Sequence, residues 1–424
     1  MVDPCFKCGQ PPAAGSKLRM CGGCKAAPYC GDVCQRAHWS AHKLVCKTLC
    51  DAREAAIRPL TVAAQNGDLA AAKGLLEAGA KPDRAFADGC TALSNAVGNN
   101  HVAMVAVLLE AGAKVTKACG QGNTRPLMVA AQEGHLALVR MLLEAGAEVD
   151  QVADDGRTAM GLAAQGNHVV VVAVLIQEGA AVDMVCDRAG GTALFAAANG
   201  GHEAVVKALL EAGADVNKAR YDGNTPLHYA AKKGRDAVVM VLLESGAEVD
   251  KAPNGCTPLM VAAQEGHGAV VAALIESGAN LNQAREDGMT PLLDAVTWGH
   301  VAVLLALLES GAEIDKAADD DLTPLMIAVK NNDPSKTGQC HLAMVKALLG
   351  SRADVNKVLR DWCTVLMLAV MNGDLAVVEA LLEAGADVET KMGERGVTAL
   401  DLATHSGNAA VVAALQRHDG CHRS

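Results

Sequence analysis

The residues whose types and spacing could do chemistry lie together, between positions 5 and 46. They read C-x2-C-x12-C-x2-C-x5-C-x3-C-x7-H-x3-C. Two C-x2-C pairs each present two thiolates from a tight turn, which suits tetrahedral zinc. Cys34, His38, His42 and Cys46 recur every four residues, so a helix there sets all four on one face. That makes nine candidates for the eight ligand positions of two zinc ions. So short a segment, with so little apolar material, can hardly bury a core of its own. Bound metal must supply the stability, roughly 10–16 kcal/mol per structural zinc in small fingers.

The remaining chain has to position that module and whatever surface accompanies it. Of 424 residues, 51% are apolar but only 2% aromatic, so Ala, Val and Leu fill the interior. Small, regular side chains suit closely stacked helices better than one large irregular core. The start, MVDPCFKCGQ, has no apolar stretch of signal-peptide type. The longest apolar run, Val169 to Ile176, is far below the roughly 20 residues of a membrane span. Of the 15 cysteines, seven cluster in residues 1–46, while eight are scattered with no pairing pattern. Clustered cysteines near a histidine in a signal-less chain read as metal ligands in a reducing compartment, hence a cytoplasmic or nuclear location and no membrane partner.

Charge divides at the same boundary. Residues 1–50 carry seven Lys/Arg against two Asp, and the rest carries 30 against 46. Thiolates bound to zinc reduce the apparent N-terminal excess to about +2, too weak for a nucleic-acid surface. The acidic remainder would repel phosphate.

Internal repetition is the strongest signal. LLEAGA or a close relative begins at 75, 108, 142, 175, 209, 242, 274, 307, 348 and 381, and a TPL-like string precedes each copy and one more, the first at Arg58 and the last at Thr398. In 225 TPLHYAAKKGRDAVVMVLLESGAEVDKA, Thr225 caps a helix whose first turn holds Pro226. A second helix carries Val238, Val239, Leu242 and Leu243 on one face, and Gly246 closes it. Such a unit cannot bury its own apolar face, so neighbours must stack on it. The unit at Thr323 has a polar insertion, residues 331–340, between its helices, and the last unit replaces LLEAGA by ALQRHD, as a capping unit should.

These strings resemble the ankyrin repeat over residues 57–418. The resemblance implies an all-α solenoid of about eleven helix-turn-helix repeats, binding a folded protein partner on its concave side, across first helices and loop tips. Tyr29-Cys30, Cys34-Gln35, Trp39, His42-Lys43 and Cys46 resemble the MYND zinc finger. That likeness implies two interleaved zinc ions, one on Cys5, Cys8, Cys30 and Cys34, the other on Cys21, Cys24, His42 and Cys46, with His38 spare. It also implies a short proline-rich peptide as ligand, faced by Gln35 and Trp39. The expected domains are a MYND-type module at 1–50, a helical linker at 51–56 that docks the module rigidly on the first repeat, the array at 57–418 and a tail at 419–424.

Other conspicuous residues read as parts of the repeat. His101, His135, His168, His202, His267 and His300 share the slot that opens the second helix, and His228 holds the TPLH slot. Cys90, Cys256 and Cys363 precede the repeat threonine, too far apart to pair, and are expected as free thiols. Trp298 stands in a slot that varies between copies (Asn66, Glu133, Lys233, Glu265), which marks it as a candidate binding anchor. Trp362, where other copies have Gly, is a second. Asn217 and Asn356 lie in ADVN strings, which in ankyrin proteins can be hydroxylated.

No glycine-rich phosphate loop or nucleophile elbow is present, and no carboxylate pair lies outside the repeat slots, so no enzyme is expected. The composite reading is a protein-interaction scaffold. Its rivals are a ubiquitin-ligase-associated adaptor, against which the order of zinc ligands argues, and a nucleic-acid-associated regulator, against which the charge argues.

Overall fold

The computed structural model describes residues 19–20, 28–29, 60–85, 89–120, 122–330, 340–359, 363–393 and 395–422. The expected linker at 51–56, and all of the expected insertion but Cys340, lie outside them.

Most repeats are built by the same local physics, although the helix Pro126–Gln132 opens at Arg125 without a side-chain cap. The threonine has extended backbone and its hydroxyl accepts from the amide three residues on: Thr257 from Met260 N at 3.2 Å, Thr290 from Leu293 N at 3.3 Å, Thr364 from Met367 N at 3.3 Å. These threonines are buried, so an uncapped amide there would have no water to turn to. Where proline follows, it occupies the first helical turn and sacrifices no hydrogen bond. The first helix then ends at a residue such as Gly266, whose φ of +80° a side chain rarely adopts. A Cβ there would also lie 2.5 Å from the His300 ring. In most repeats the second helix follows at once, typically nine residues rich in Val and Leu.

The chain divides into two compact units, residues 1–180 and 181–424. The first holds two short antiparallel strands, β1 (Arg19–Met20) and β2 (Pro28–Tyr29). Four helix pairs follow: α1 (60–66) with α2 (Leu69–Glu77), α3 (Ala92–Gly98) with α4 (Val102–Glu110), α5 (Pro126–Gln132) with α6 (Leu136–Glu144), and α7 (Ala159–Gln165) with α8 (Val169–Gln177). The second unit holds seven pairs. Five are α9 (Ala193–Gly200) with α10 (Glu203–Glu211), α11 (Pro226–Lys232) with α12 (Asp236–Glu244), α13 (Pro258–Glu265) with α14 (Gly268–Glu276), α15 (Pro291–Trp298) with α16 (Val301–Glu309), and α17 (Pro324–Lys330) with α18 (Cys340–Gly350). The last two are α19 (Val365–Asn372) with α20 (Leu375–Glu383), and α21 (Ala399–Ser406) with α22 (Ala409–His422). These eleven pairs, counted among the described residues, meet the expected repeat number. The final helix runs to His422, into the stretch expected as a tail.

Within each unit, first helices stack on first helices and second on second: α9, α11, α13, α15 and α17 form one row, and α10, α12, α14 and α16 the other. Val205, Val206 and Leu209 of α10 recur as Val238, Val239 and Leu242 of α12 and as Val270, Val271 and Leu274 of α14, all essentially inaccessible. The core is thus a seam of identical small layers, and each layer is closed only by its neighbours.

Two features depart from the sequence reading. Cys90 is not a free thiol: it forms a disulfide with Cys119. The loops before Thr91 and after α4 touch, Gly120 N lying 3.4 Å from where a Cβ on Gly89 would sit. The bond therefore joins two different slots of adjacent repeats, a pairing that same-slot spacing does not reveal. Cys186, Cys256 and Cys363 are free. The second departure is Asp294, only 1% exposed in the middle of α15. Burial pushes its carboxyl up to about 6, against the pull of Arg285, whose Nη2 lies 3.2 Å from Oδ1.

Three outcomes follow for stability. Leu209→Ala should cost about 2–5 kcal/mol, because neighbouring layers cannot collapse into the void. Thr257→Ala should cost about 0.5–2 kcal/mol through the lost cap. Both are read by urea denaturation. Asp294 has a folded pKa above its unfolded one, so the native state binds the proton more tightly. Its contribution to stability therefore grows as pH falls from about 6 towards the ordinary value of 3.8. Wild type should gain on the order of 2 kcal/mol relative to Asp294→Asn over that window. Parallel melting-temperature profiles of the two proteins would contradict this.

Candidate functional site

The histidines that open the second helices are structural clamps. Nε2 of His101, His168, His267 and His300 bonds the carbonyls of Gln65, Gln132, Lys232 and Gln264 at 3.0, 2.8, 3.1 and 2.9 Å, each in the preceding repeat. His135 does the same with Nδ1 to Val97 O at 3.2 Å. His228 is buried, its Nδ1 accepting from Thr225 N at 3.2 Å and its Nε2 donating to Cys256 O at 3.2 Å. Burial holds its pKa below the usual histidine value. Asn217 and Asn356 are likewise bridges: each side chain donates to the carbonyl of Gly246 or Gly385 at 3.3 Å and accepts from Glu248 N or Asp387 N at 2.9 and 2.8 Å.

Once the framework is subtracted, what varies between repeats is the exposed face of the first helices and the loops that precede them. Trp298, at the end of α15, is 56% exposed, and Met371 on α19 is 51% exposed. Lys232, Lys233, Glu265 and Lys330 are exposed at the ends of their helices. Trp362 lies outside the described residues.

Two arginines, each nine residues before a first-helix side chain, organise this face. Arg220 lies 4.6 Å from the Phe195 ring centroid and 5.4 Å from that of Tyr229; it donates to Tyr229 Oη at 3.0 Å and lies 3.4 Å from Asp187 Oδ2. Arg285 holds the same place one repeat beyond the next, between Asp294 at 3.2 Å and Asp287 at 3.4 Å. The slot of Asp294 is otherwise uncharged in every copy, for example Tyr229, Val261, Ile327 and Leu368. That comparison across copies is the signal that marks Asp294 in the sequence. Burial pushes the Cys186 thiol up to about 12 and raises that of Cys256, which keeps both in the thiol form. Among the described residues, no three His, Cys, Asp or Glu side chains converge as a metal site, and no helix is long and apolar enough to cross a membrane.

All eight expected zinc ligands, with His38, Gln35 and Trp39, lie outside the described residues. Among the described residues of this segment, Arg19 pairs with Tyr29 and Met20 with Pro28. In sequence, Cys21-x2-Cys24 lies between the two strands and Cys30 directly follows the second. The donor set itself, seven thiolates and two imidazoles for eight positions, fits tetrahedral zinc.

Comparison with known proteins agrees with this anatomy. The family model of ankyrin repeats in three copies matches residues 35–119, 60–153, 127–220, 181–253, 217–285, 248–318, 282–357 and 325–422. The MYND finger model matches residues 5–46. Among solved structures, the human ASB11 ankyrin repeat domain is similar, with 27% sequence identity over 55% of this chain and 99% of that one, at a TM-score of 0.48. The chain belongs to the ankyrin repeat family and carries a MYND zinc finger ahead of its repeats.

Proposed function

We propose that the chain is a non-catalytic adaptor with two separate binding elements. In the finger, Cys5, Cys8, Cys30 and Cys34 hold one zinc and Cys21, Cys24, His42 and Cys46 the second. The metal supplies the rigidity that so small a segment lacks. Gln35 and Trp39 then present a wall to a proline-rich peptide, whose preformed helix loses little entropy on docking. The array holds a folded partner across its first helices and loop tips. Two elements on one chain raise avidity through effective concentration.

The observation that carries this reading is the division of labour in the repeats. Threonine caps and histidine clamps are spent on the framework, whereas the variable positions Lys233, Glu265, Trp298 and Met371 face solvent. A chain built only to stack has no need of an exposed tryptophan when it owns three.

Purified full-length chain should carry two equivalents of zinc by metal analysis. Cys30→Ser with Cys46→Ser should leave well under one, since it removes a ligand from each site, while helix content by circular dichroism stays almost unchanged. Proximity labelling in cells should then separate two sets of neighbours, one lost with zinc and one kept. A single set, lost or kept as a whole, would contradict two independent elements.

A further inference from the structure

On α15, beside the loops at 286–288 and 319–321, the chain holds a carboxylate that it satisfies only in part. Asp294 Oδ1 is bonded by Arg285, but Oδ2 is buried with no hydrogen-bond partner among the described residues. An orphaned buried carboxylate oxygen loses its hydration with nothing in return. The fold does not require it. In the equivalent slot of α11, Tyr229 satisfies the equivalent arginine through its hydroxyl, and in α17 and α19 the slot holds Ile327 and Leu368.

Around Arg285, the exposed loop side chains are acidic. Glu286 and Asp287 in one loop, and Asp319, Asp320 and Asp321 in the next, are all exposed. The two loops are in contact: Asp319 N donates to Asp287 O at 3.2 Å, and a Cβ on Gly288 would meet Asp319 N at 2.6 Å. Arg285 links this acidic edge to Asp294. One helical turn further along α15, on the same face, stands the exposed indole of Trp298. Acidic loop edge, buried carboxylate and aromatic ring therefore follow one another along α15, a track whose middle member is covered.

The structure assigns this track to an arginine-bearing extended segment of a protein partner, with one guanidinium stacked on Trp298 and donating to Asp294 Oδ2. The assignment rests on the adaptor reading above and names the partner chemistry for the array. Arginine fits better than lysine because a planar guanidinium stacks on a ring and donates in its own plane at once. The chain shows that combination itself, where Arg220 lies over Phe195 and Tyr229 and against Asp187. Oδ2 is sheltered, so docking takes a side-chain adjustment, and Arg285 has Asp287 to hold it when it moves. The loops at 286–287 and 319–321 then steer the segment in.

The test is fluorescence anisotropy of full-length protein with a labelled Arg-Gly-Ser repeat peptide, alongside Lys-Gly-Ser and Glu-Gly-Ser peptides. The arginine peptide should bind best and weaken as salt is raised. Trp298→Ala and Asp294→Leu should each weaken it about tenfold or more. Asp154→Asn, at an exposed acid in a loop of the other unit, should change nothing. Trp298 is exposed, so its variant keeps the test sound even if Asp294→Leu alters the fold, which a melting curve would show. Undiminished binding by Trp298→Ala, or equal weakening by Asp154→Asn, would reduce the track to general attraction and overturn the assignment. The adaptor reading would fall separately, if proximity labelling found no array-dependent neighbours.

Discussion

Everything in the array depends on one constraint: no helix pair here can cover its own apolar face. A nine-residue helix such as α12 buries Val238, Val239 and Leu242 only because α10 and α14 lie on either side. Stability is then close to a sum of nearest-neighbour terms, not the property of a single core. The near absence of aromatic residues follows from it. Layers that repeat about every 33 residues must have equal thickness, and Ala, Val and Leu give that where scattered rings would not. Polar groups obey the same rule. The histidine of one repeat bonds a carbonyl of the repeat before, and Asn217 or Asn356 ties its loop to the following one, so the hydrogen bonds, like the apolar contacts, cross from layer to layer.

The constraint also separates what is structural from what is free to vary. Because framework positions are fixed by stacking, the sequence differs between copies mainly on the first-helix face and in the loops. A charge buried there, as at Asp294, cannot be explained by the repeat. At the N-terminus the problem is solved by different means. Residues 5–46 match the MYND finger, which implies zinc binding, and in the proposed reading metal coordination takes the place of apolar contact.

Much of this was legible from the residues alone. Thr-Pro-Leu, the Gly-His step and LLEAGA each encode a local event, a cap, a helix break and an apolar stripe, so spacing was enough to locate them. The histidines read as architecture from their shared slot, and the bonds from His101, His168, His267 and His300 to the preceding repeat bear this out. The Cys90–Cys119 bond was not legible, because it joins unlike slots whose approach depends on how two loops stack. The Arg285–Asp294 pair was missed for a related reason. Nine residues of sequence separate its members, and only the turn of the loop into α15 brings them to 3.2 Å. Sequence periodicity reports what recurs, whereas binding surfaces are made of what does not.

The most direct test of nearest-neighbour stabilisation is residue-resolved hydrogen exchange on the full chain carrying Leu242→Ala. Protection should fall most in α12, next in α10 and α14, and hardly at all in α16 and α20. A uniform loss through residues 181–424 would mean a single cooperative core, and a loss confined to α12 would mean helices that do not rely on their neighbours. Either result would contradict the account.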